Sequence, residues 1–193
     1  NIMHTMIGLQ KDAIGIGASD TTLPVVPMFH ANAWGLAFSG PATGSKLVLP
    51  GAKMDGESIY ELLENEKVTF TAAVPTVWLM LLQYLESTNK KLPHLNRVVI
   101  GGSAVPERIL RAFEENYQVE VVHAWGMSEM SPLGTMCRVK ARHLKLTPAQ
   151  QFAIKVKQGR AVFGVQLKIV DGDGNALPHD GKAFGDLMVR GPW

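Results

Sequence analysis

Apolar positions along the chain fall into short β-branched runs, and between them lie longer stretches in which apolar residues recur at helical spacing. Val119, Val121 and Val122 form one run that breaks at Trp125-Gly126, where glycine can take backbone angles closed to other residues. Arg97-Val98-Val99-Ile100 forms another. It leads into Gly101-Gly102-Ser103-Ala104-Val105-Pro106 and a helical pattern from Glu107, with Pro106 suited to the first helical position. Further strands are predicted over 21–26, 46–50 and 68–74; Pro24 leaves a gap in any ladder and favours an edge or a strand end. Asp55 or Gly56 opens a helix with Ile59, Leu62 and Leu63 in an apolar stripe. Pro75-Thr76 opens another, over 77–86, that is apolar nearly all round and therefore expected to be well buried. Residues 4–10 read as the end of a helix. Strands alternating with helices at crossover spacing predict an α/β fold with a mainly parallel sheet.

The pattern then changes. Residues 138–158 are rich in Lys, Arg, His and Gln and read as an exposed connection or helix whose basic side chains form a solvated face. Residues 165–170 and 186–190 alternate apolar with polar around a turn-rich segment, which predicts an antiparallel pair opening a smaller β subdomain. The expected organisation is the end of a preceding subdomain over 1–19, an α/β subdomain over 20–150, and the start of the antiparallel subdomain over 151–193.

Composition narrows the function classes. The chain has 193 residues, 46% of them apolar, and a net charge of +2 with the charges interspersed, so it has enough apolar surface for a sizeable core and lacks a nucleic-acid footprint. The single Cys137 excludes an internal disulfide and fits a reducing compartment, here taken as the cytoplasm. No apolar run approaches the roughly 20 residues that span a bilayer. Gly15 and Gly17 lack the third glycine of a dinucleotide fingerprint. The segment Asp171-Gly172-Asp173-Gly174-Asn175 has Ala176 and Lys182 where a calcium loop needs Gly and Glu, so it reads as a glycine-rich turn.

Two strand-turn-helix units in one parallel sheet would bring both glycine turns to the same carboxyl edge, facing each other across one ligand. Behind Trp125 come Gly126, Ser128 and Glu129: an aromatic surface, room for close backbone approach, a hydroxyl for a phosphate and an oxygen ligand for Mg²⁺. An ordinary strand-to-loop junction has the same composition, and this spacing alone does not separate the two.

The blocks V-V-I-G-G-S-A-V-P-E-R and A-W-G-M-S-E-M-S-P together resemble the adenylate-forming enzymes, the superfamily of acyl-CoA synthetases, luciferases and peptide-synthetase adenylation domains. The blocks at 23–35, 70–78 and 159–192 fall in the order that fatty acyl-CoA ligases show. The resemblance implies the acyl-CoA synthetase large-domain fold, with fatty acid, ATP and CoA as substrates and Mg²⁺ as cofactor. A fatty acid is activated to an acyl-adenylate and then passed to CoA, with medium- or long-chain acids favoured by the tryptophan in F-H-A-N-A-W-G and by V-P-T-V-W. It also assigns positions. Trp125 stands where a tyrosine usually stacks on adenine, Ser128 stands for the usual phosphate-binding threonine, and Glu129 matches the Mg²⁺ ligand. Gly102, Ser103 and Ala104 resemble the strip on the other face of adenine, beside Gly126, while Met127 would pack below the substrate carboxylate. His30 lies near the passage between acyl and CoA sites, and Trp34 lines or gates the fatty-acid channel. Catalytic roles are thus expected of Glu129, Ser128 and His30. Val74, Pro75 and Thr76 line the acyl pocket or serve structure alone.

By the same resemblance the chain starts after a phosphate loop and stops before a ribose-binding aspartate and a catalytic lysine. It is therefore expected to be a middle portion of a larger enzyme, inactive alone, with a homodimer left open. Two other classes compete: a non-catalytic module of the same fold, and a serine hydrolase with Ser128 in a G-x-S-x-G elbow, although Met130 replaces its closing glycine.

Overall fold

A computed structural model describes residues 2–192, with side chains from residue 6 onward. It opens with helix α1 (Ile2–Leu9) and strand β1 (Thr21–Pro24), which has Pro24 at its end, as expected of a residue without an N–H for the ladder. A single turn α2 (Ala31–Trp34) leads into α3 (Leu36–Thr43) and the short β2 (Lys46–Leu47). The strand predicted over 46–50 is thus two residues long; it pairs only with β1, and Leu49 beyond it is exposed. Helix α4 (Gly56–Asn65) is capped by Asp55, whose carboxylate accepts from the Ser58 N–H at 2.9 Å. Strand β3 (Phe70–Ala73) runs into α5 (Pro75–Thr88), with Pro75 at its first turn.

Strand β4 (Arg97–Ile100) and helix α6 (Glu107–Arg111) occur as the sequence predicts, with Pro106 as the extended N-cap rather than the first helical residue. Helix α6 continues as a π turn over Ala112–Asn116, and β5 (Glu120–Gly126) comes next. Crossover connections make the ladder β2-β1-β3-β4-β5 parallel throughout. The sheet then gains two antiparallel strands that the sequence pattern did not reveal, β6 (Leu133–Met136) and, beyond α7 (Pro148–Lys155), β7 (Arg160–Ala161). A second sheet holds β8 (Gln166–Val170), β9 (Ala176–Leu177) and β10 (Asp186–Arg190), with β8 and β10 forming the expected antiparallel pair.

Alternation along the parallel strands sorts the core onto two faces. Val98, Ile100 and Val121 pack with Trp78, Leu81, Leu85, Ile109 and Phe113 beneath α4, α5 and α6. Val99, Val122 and Ala124 pack with Ile7, Ile14 and Leu36 on the side of α1 and α3. Each fully buried side chain of this size contributes about 1.5–3 kcal/mol. Trp78 meets Phe113 edge-on, with ring centres 5.6 Å apart. Helix α5 is not buried all round: Trp78, Leu81, Leu82 and Leu85 face the core, while Met80 lies 41% exposed. Gly56 explains the fit on that flank, since a Cβ there would lie 2.4 Å from the Met80 carbonyl oxygen, so α4 and α5 cross in close contact.

The basic segment folds as a 3₁₀ turn at Ala141–Lys145 and then α7. Its side chains are largely exposed, but Lys155 pairs with Glu114 at 2.7 Å, and Phe152 packs against the core under the Arg111 guanidinium. Under this cover sit His123 and Cys137. Burial pushes the Cys137 thiol up, and the thiol donates to the Ile154 carbonyl. Among the described residues, neither ring nitrogen of His123 has a hydrogen-bond partner. Burial lowers its pKa below the ordinary 6.5, and the nearby backbone of Val156 and Lys157 opposes this only in part. No helix among the described residues is long and apolar enough to cross a membrane.

A histidine buried in its neutral form makes stability fall as acid is added. Below pH 6.5 the unfolded chain takes up a proton that the folded chain refuses, down to the depressed folded-state pKa. Urea titrations should show the protein losing stability as the pH falls below 6.5, and His123→Leu should flatten that slope. Parallel slopes in the two proteins would show that His123 is solvated in the folded state.

Candidate active site

The parallel ladder brings the carboxyl ends of β1, β3, β4 and β5 to one edge, the edge at which ligands of open α/β sheets bind. A cleft of about 280 Å³ opens there, lined by His30, Trp34, Gly101, Gly102, Ala124, Trp125, Gly126, Met127, Ser128, Pro132 and Leu133. Of these, the sequence predicts His30, Trp34, Gly102, Trp125, Gly126, Met127 and Ser128. It does not predict Gly101, Ala124, Pro132 and Leu133, although Gly101 sits beside Gly102 in the same turn.

The β4 turn makes one wall. Ile100 pairs with His123, so Gly101 draws level with Ala124, and a Cβ on Gly101 would lie 3.0 Å from the Ala124 oxygen and 3.4 Å from Cη2 of Trp34. Gly102 has φ +82°, a conformation that favours glycine, and a Cβ there would meet Val74 Cγ1 at 3.0 Å. Val74 is thus next to the cleft, as the N-cap of α5. Pro75 is buried at the start of that helix and Thr76 is exposed; neither lines the cleft. Ser103 and Ala104 are exposed beyond the turn and also lie outside the lining.

The other wall is the end of β5. Strict alternation would put the Trp125 side chain on the His123 face, yet it packs with the cluster that contains Ala124, beside a register shift between Trp125 and Gly126. Such a bulge re-aims a side chain. Strand β5 then enters a hairpin with β6 in place of the predicted turn into a helix. The Met127 N–H donates to the Pro132 carbonyl at 2.9 Å, a 3₁₀ turn spans Ser128–Met130, and Met130 is buried while Met127, Ser128 and Glu129 are exposed. Gly126 is required here, because a Cβ would sit 1.9 Å from the Pro132 oxygen. The hairpin also removes the strand-turn-helix setting of a hydrolase nucleophile elbow.

The third side is the segment after β1. Ala31, Asn32, Ala33 and Trp34 all have positive φ, from 45° to 55°, making one left-handed turn closed by Gly35. L-residues resist this conformation by roughly 1–2 kcal/mol each. The turn buries Trp34 to 7% exposure against the β4 turn and leaves His30 exposed at the mouth of the cleft.

Oxygen donors near the cleft are few. Ser128 lines it, and Glu129 stands next on the same exposed turn, outside the lining itself. No group of three or more His, Cys, Asp or Glu side chains among the described residues forms a cage for a metal. One accessible carboxylate nevertheless fits Mg²⁺, which is commonly held through one or two carboxylates together with substrate phosphates.

Comparison with known proteins gives the family of the chain. The family model described as AMP-binding enzyme matches residues 1–193. The chain belongs to the AMP-binding enzyme family. It is 48% identical over 192 residues to a 3-methylmercaptopropionyl-CoA ligase from Ruegeria lacuscaerulensis, covering 100% of this chain and 36% of that protein. It is 46% identical to a medium-chain-fatty-acid–CoA ligase from Ectopseudomonas oleovorans, covering 100% of this chain and 35% of that protein. The crystal structure of a long-chain-fatty-acid-CoA ligase from Archaeoglobus fulgidus superposes with a TM-score of 0.78 at 25% identity, over 98% of this chain and 37% of that one. The chain therefore spans about a third of the length of these relatives, and the predicted superfamily and large-domain fold are both found.

The strain in the left-handed turn can be measured. Ala31→Gly removes the Cβ that opposes positive φ and should raise stability by about 1 kcal/mol in urea unfolding. A loss of stability would mean that the turn is not strained in solution.

Proposed function

We propose that the whole protein to which this chain contributes is an ATP-dependent, AMP-forming fatty acid–CoA ligase acting on medium- or long-chain acids. The observation that carries this reading is the meeting of the Gly101-Gly102 turn and the Trp125–Ser128 turn around one cleft at the carboxyl edge of the sheet. Membership of the AMP-binding enzyme family and the CoA ligase names of its relatives support the reaction class. Those names include a small sulfur-containing acyl group beside a medium chain, so the preference for medium- or long-chain acids rests on the resemblance carried by Trp34 in F-H-A-N-A-W-G and by V-P-T-V-W.

In this reading adenine lies between the Trp125 indole and the backbone at Gly102, with Ser103 and Ala104 continuing that strip beyond the cleft lining and Gly126 allowing close approach. The Ser128 hydroxyl donates to a phosphate oxygen. Glu129 would hold Mg²⁺, which when bound neutralises phosphate charge. The substrate carboxylate, placed above Met127, attacks the α-phosphorus, forming the mixed anhydride and expelling pyrophosphate. CoA then attacks the acyl carbon through its sulfur, AMP leaves with the C–O electrons, and the thiol proton passes to solvent or a base. A carboxylate is already nucleophilic, so the chain's residues act mainly by in-line placement and by stabilising charge that develops at phosphorus.

The acyl chain lies beyond the carboxylate towards Val74 and Trp34, with Pro75 and Thr76 supporting that wall and His30 at the mouth between the acyl and CoA sides. A cleft of about 280 Å³ is small for both a nucleotide and a long acyl chain. A long substrate therefore requires the Trp34 indole to move from the β4 turn. The reading includes a cytoplasmic setting and leaves a homodimer open.

Carboxylate-dependent ATP–pyrophosphate exchange by the whole protein tests it. Exchange should rise with medium or long fatty acids, and Glu129→Gln should lower it about 100-fold, the scale of losing one preorganised electrostatic partner. Exchange indifferent to Glu129, or Ser128 labelled by a fluorophosphonate, would turn the assignment towards other chemistry. Trp34→Ala should broaden the chain-length profile without abolishing exchange; an unaltered profile would remove Trp34 from acyl selection.

A further inference from the structure

Gly134 lies in the middle of β6, where glycine normally weakens a strand and its presence marks a close approach. Its φ gives no reason for glycine, since it is not among the positive-φ residues, although Gly134 is the residue that the β5–β6 register passes over, between Thr135 opposite Trp125 and Leu133 opposite Gly126. The reason is steric. A Cβ on Gly134 would lie 2.7 Å from Cζ3 and 2.8 Å from Cε3 of Trp125, and 2.5 Å from Cε of Met130. Gly126 and Gly159 differ in kind, for an added Cβ there would strike backbone atoms of Pro132 and Met136. At Gly134 the three nearest atoms all belong to side chains.

Their stiffness decides which neighbour yields. The flanking Leu133 and Thr135 are paired to β5, Thr135 is also paired to β7, and the Gly134 carbonyl accepts from the Val162 N–H at 3.1 Å, so the strand does not retreat. The Met130 methyl ends a flexible chain and turns aside cheaply. The indole is rigid, both atoms in contact belong to its six-membered ring, and it turns as a whole.

We propose that Gly134 is a positioning residue for Trp125, its missing side chain leaving the space that the second ring of an indole needs. The proposal rests on the reading of Trp125 as the adenine platform. Gly134 touches no substrate; it sets the tilt at which the indole meets the base. It also explains how a two-ring platform fits where the family resemblance expects a single-ring tyrosine: the extra ring occupies the volume that a side chain at 134 would fill.

Three variants of the whole protein test this: Gly134→Ala, Trp125→Tyr, and both together. Gly134→Ala should raise the KM for ATP about fivefold, the scale of a lost aromatic stack, and leave kcat within about twofold, since affinity for the base and not the chemical step is disturbed. It should also shift tryptophan fluorescence or near-ultraviolet circular dichroism, and that shift should vanish in the Trp125→Tyr background. The double variant should match Trp125→Tyr alone in its KM for ATP, because the smaller ring vacates the contact. If Gly134→Ala does not fold, a folded double variant would still show that crowding of the indole is the cause. A Gly134→Ala protein with unchanged spectrum and unchanged KM overturns the proposal. A changed spectrum with unchanged KM keeps the contact but overturns its role in nucleotide binding, and the fault then lies with the assignment of Trp125 as the platform. An equal rise in KM in both backgrounds also overturns it, since the effect would not pass through the indole.

Discussion

Parallel pairing of β4 with β5 sets the height at which the two strands end, and the cleft depends on that height. With Arg97 opposite Glu120 and Ile100 opposite His123, the chain leaving β4 has its first glycine beside the Ala124 carbonyl. A shift of one residue would reverse the faces of Val121 and Val122 and expose one core cluster while crowding the other. Hydrophobic burial on both faces therefore locks the register, and the register in turn leaves little room for a side chain at Gly101, while Gly102 is favoured by its positive φ and by Val74. The site inherits its geometry from the core.

The second wall is built differently. Beyond His123 the strand exchanges its parallel partner for an antiparallel one, and the register shift at Trp125/Gly126 marks the change. The hairpin into β6 keeps Met130 and Leu133 in the core, and Met130 anchors the end of the 3₁₀ turn, so that Ser128 and Glu129 before it are left outward. Ser128 and Glu129 are presented by a short, tightly bonded turn, so they are held without being buried. This suits groups that must meet a charged, hydrated ligand, because burial would penalise the carboxylate before any phosphate or cation arrived.

The left-handed turn at 31–34 adds a third kind of constraint. Strain of this sort persists only where surrounding contacts determine it, and here the buried Ala33, Trp34 and Leu36 on either side of Gly35 supply them. Three constraints thus converge on one small volume: a locked parallel register, a bonded hairpin and a strained turn. The β4 turn and the hairpin lie on the sheet, whereas Trp34 is carried by a strained turn outside it and held by packing in the core.

Much of this was legible in the residues. Alternating β-branched runs and amphipathic stretches located the parallel strands and their helices, and glycine pairs marked the turn after β4, because those signals are local. Ordered motifs pointed to the family and to His30, Trp34, Gly102, Trp125 and Ser128 as neighbours. The sequence did not reveal β6 and β7, since Leu133–Met136 and Arg160–Ala161 are short and lie outside the crossover pattern. Nor did it show that Pro75 and Thr76 stand away from the cleft, that α5 keeps one side in solvent, or that a hairpin joins β5 to β6. Composition determined which residues were able to serve a nucleotide site. Only tertiary packing decided which of them share a cavity, and why Gly134 has no side chain, because both depend on which backbones and rings come within a few ångströms across strands that the chain order does not place together.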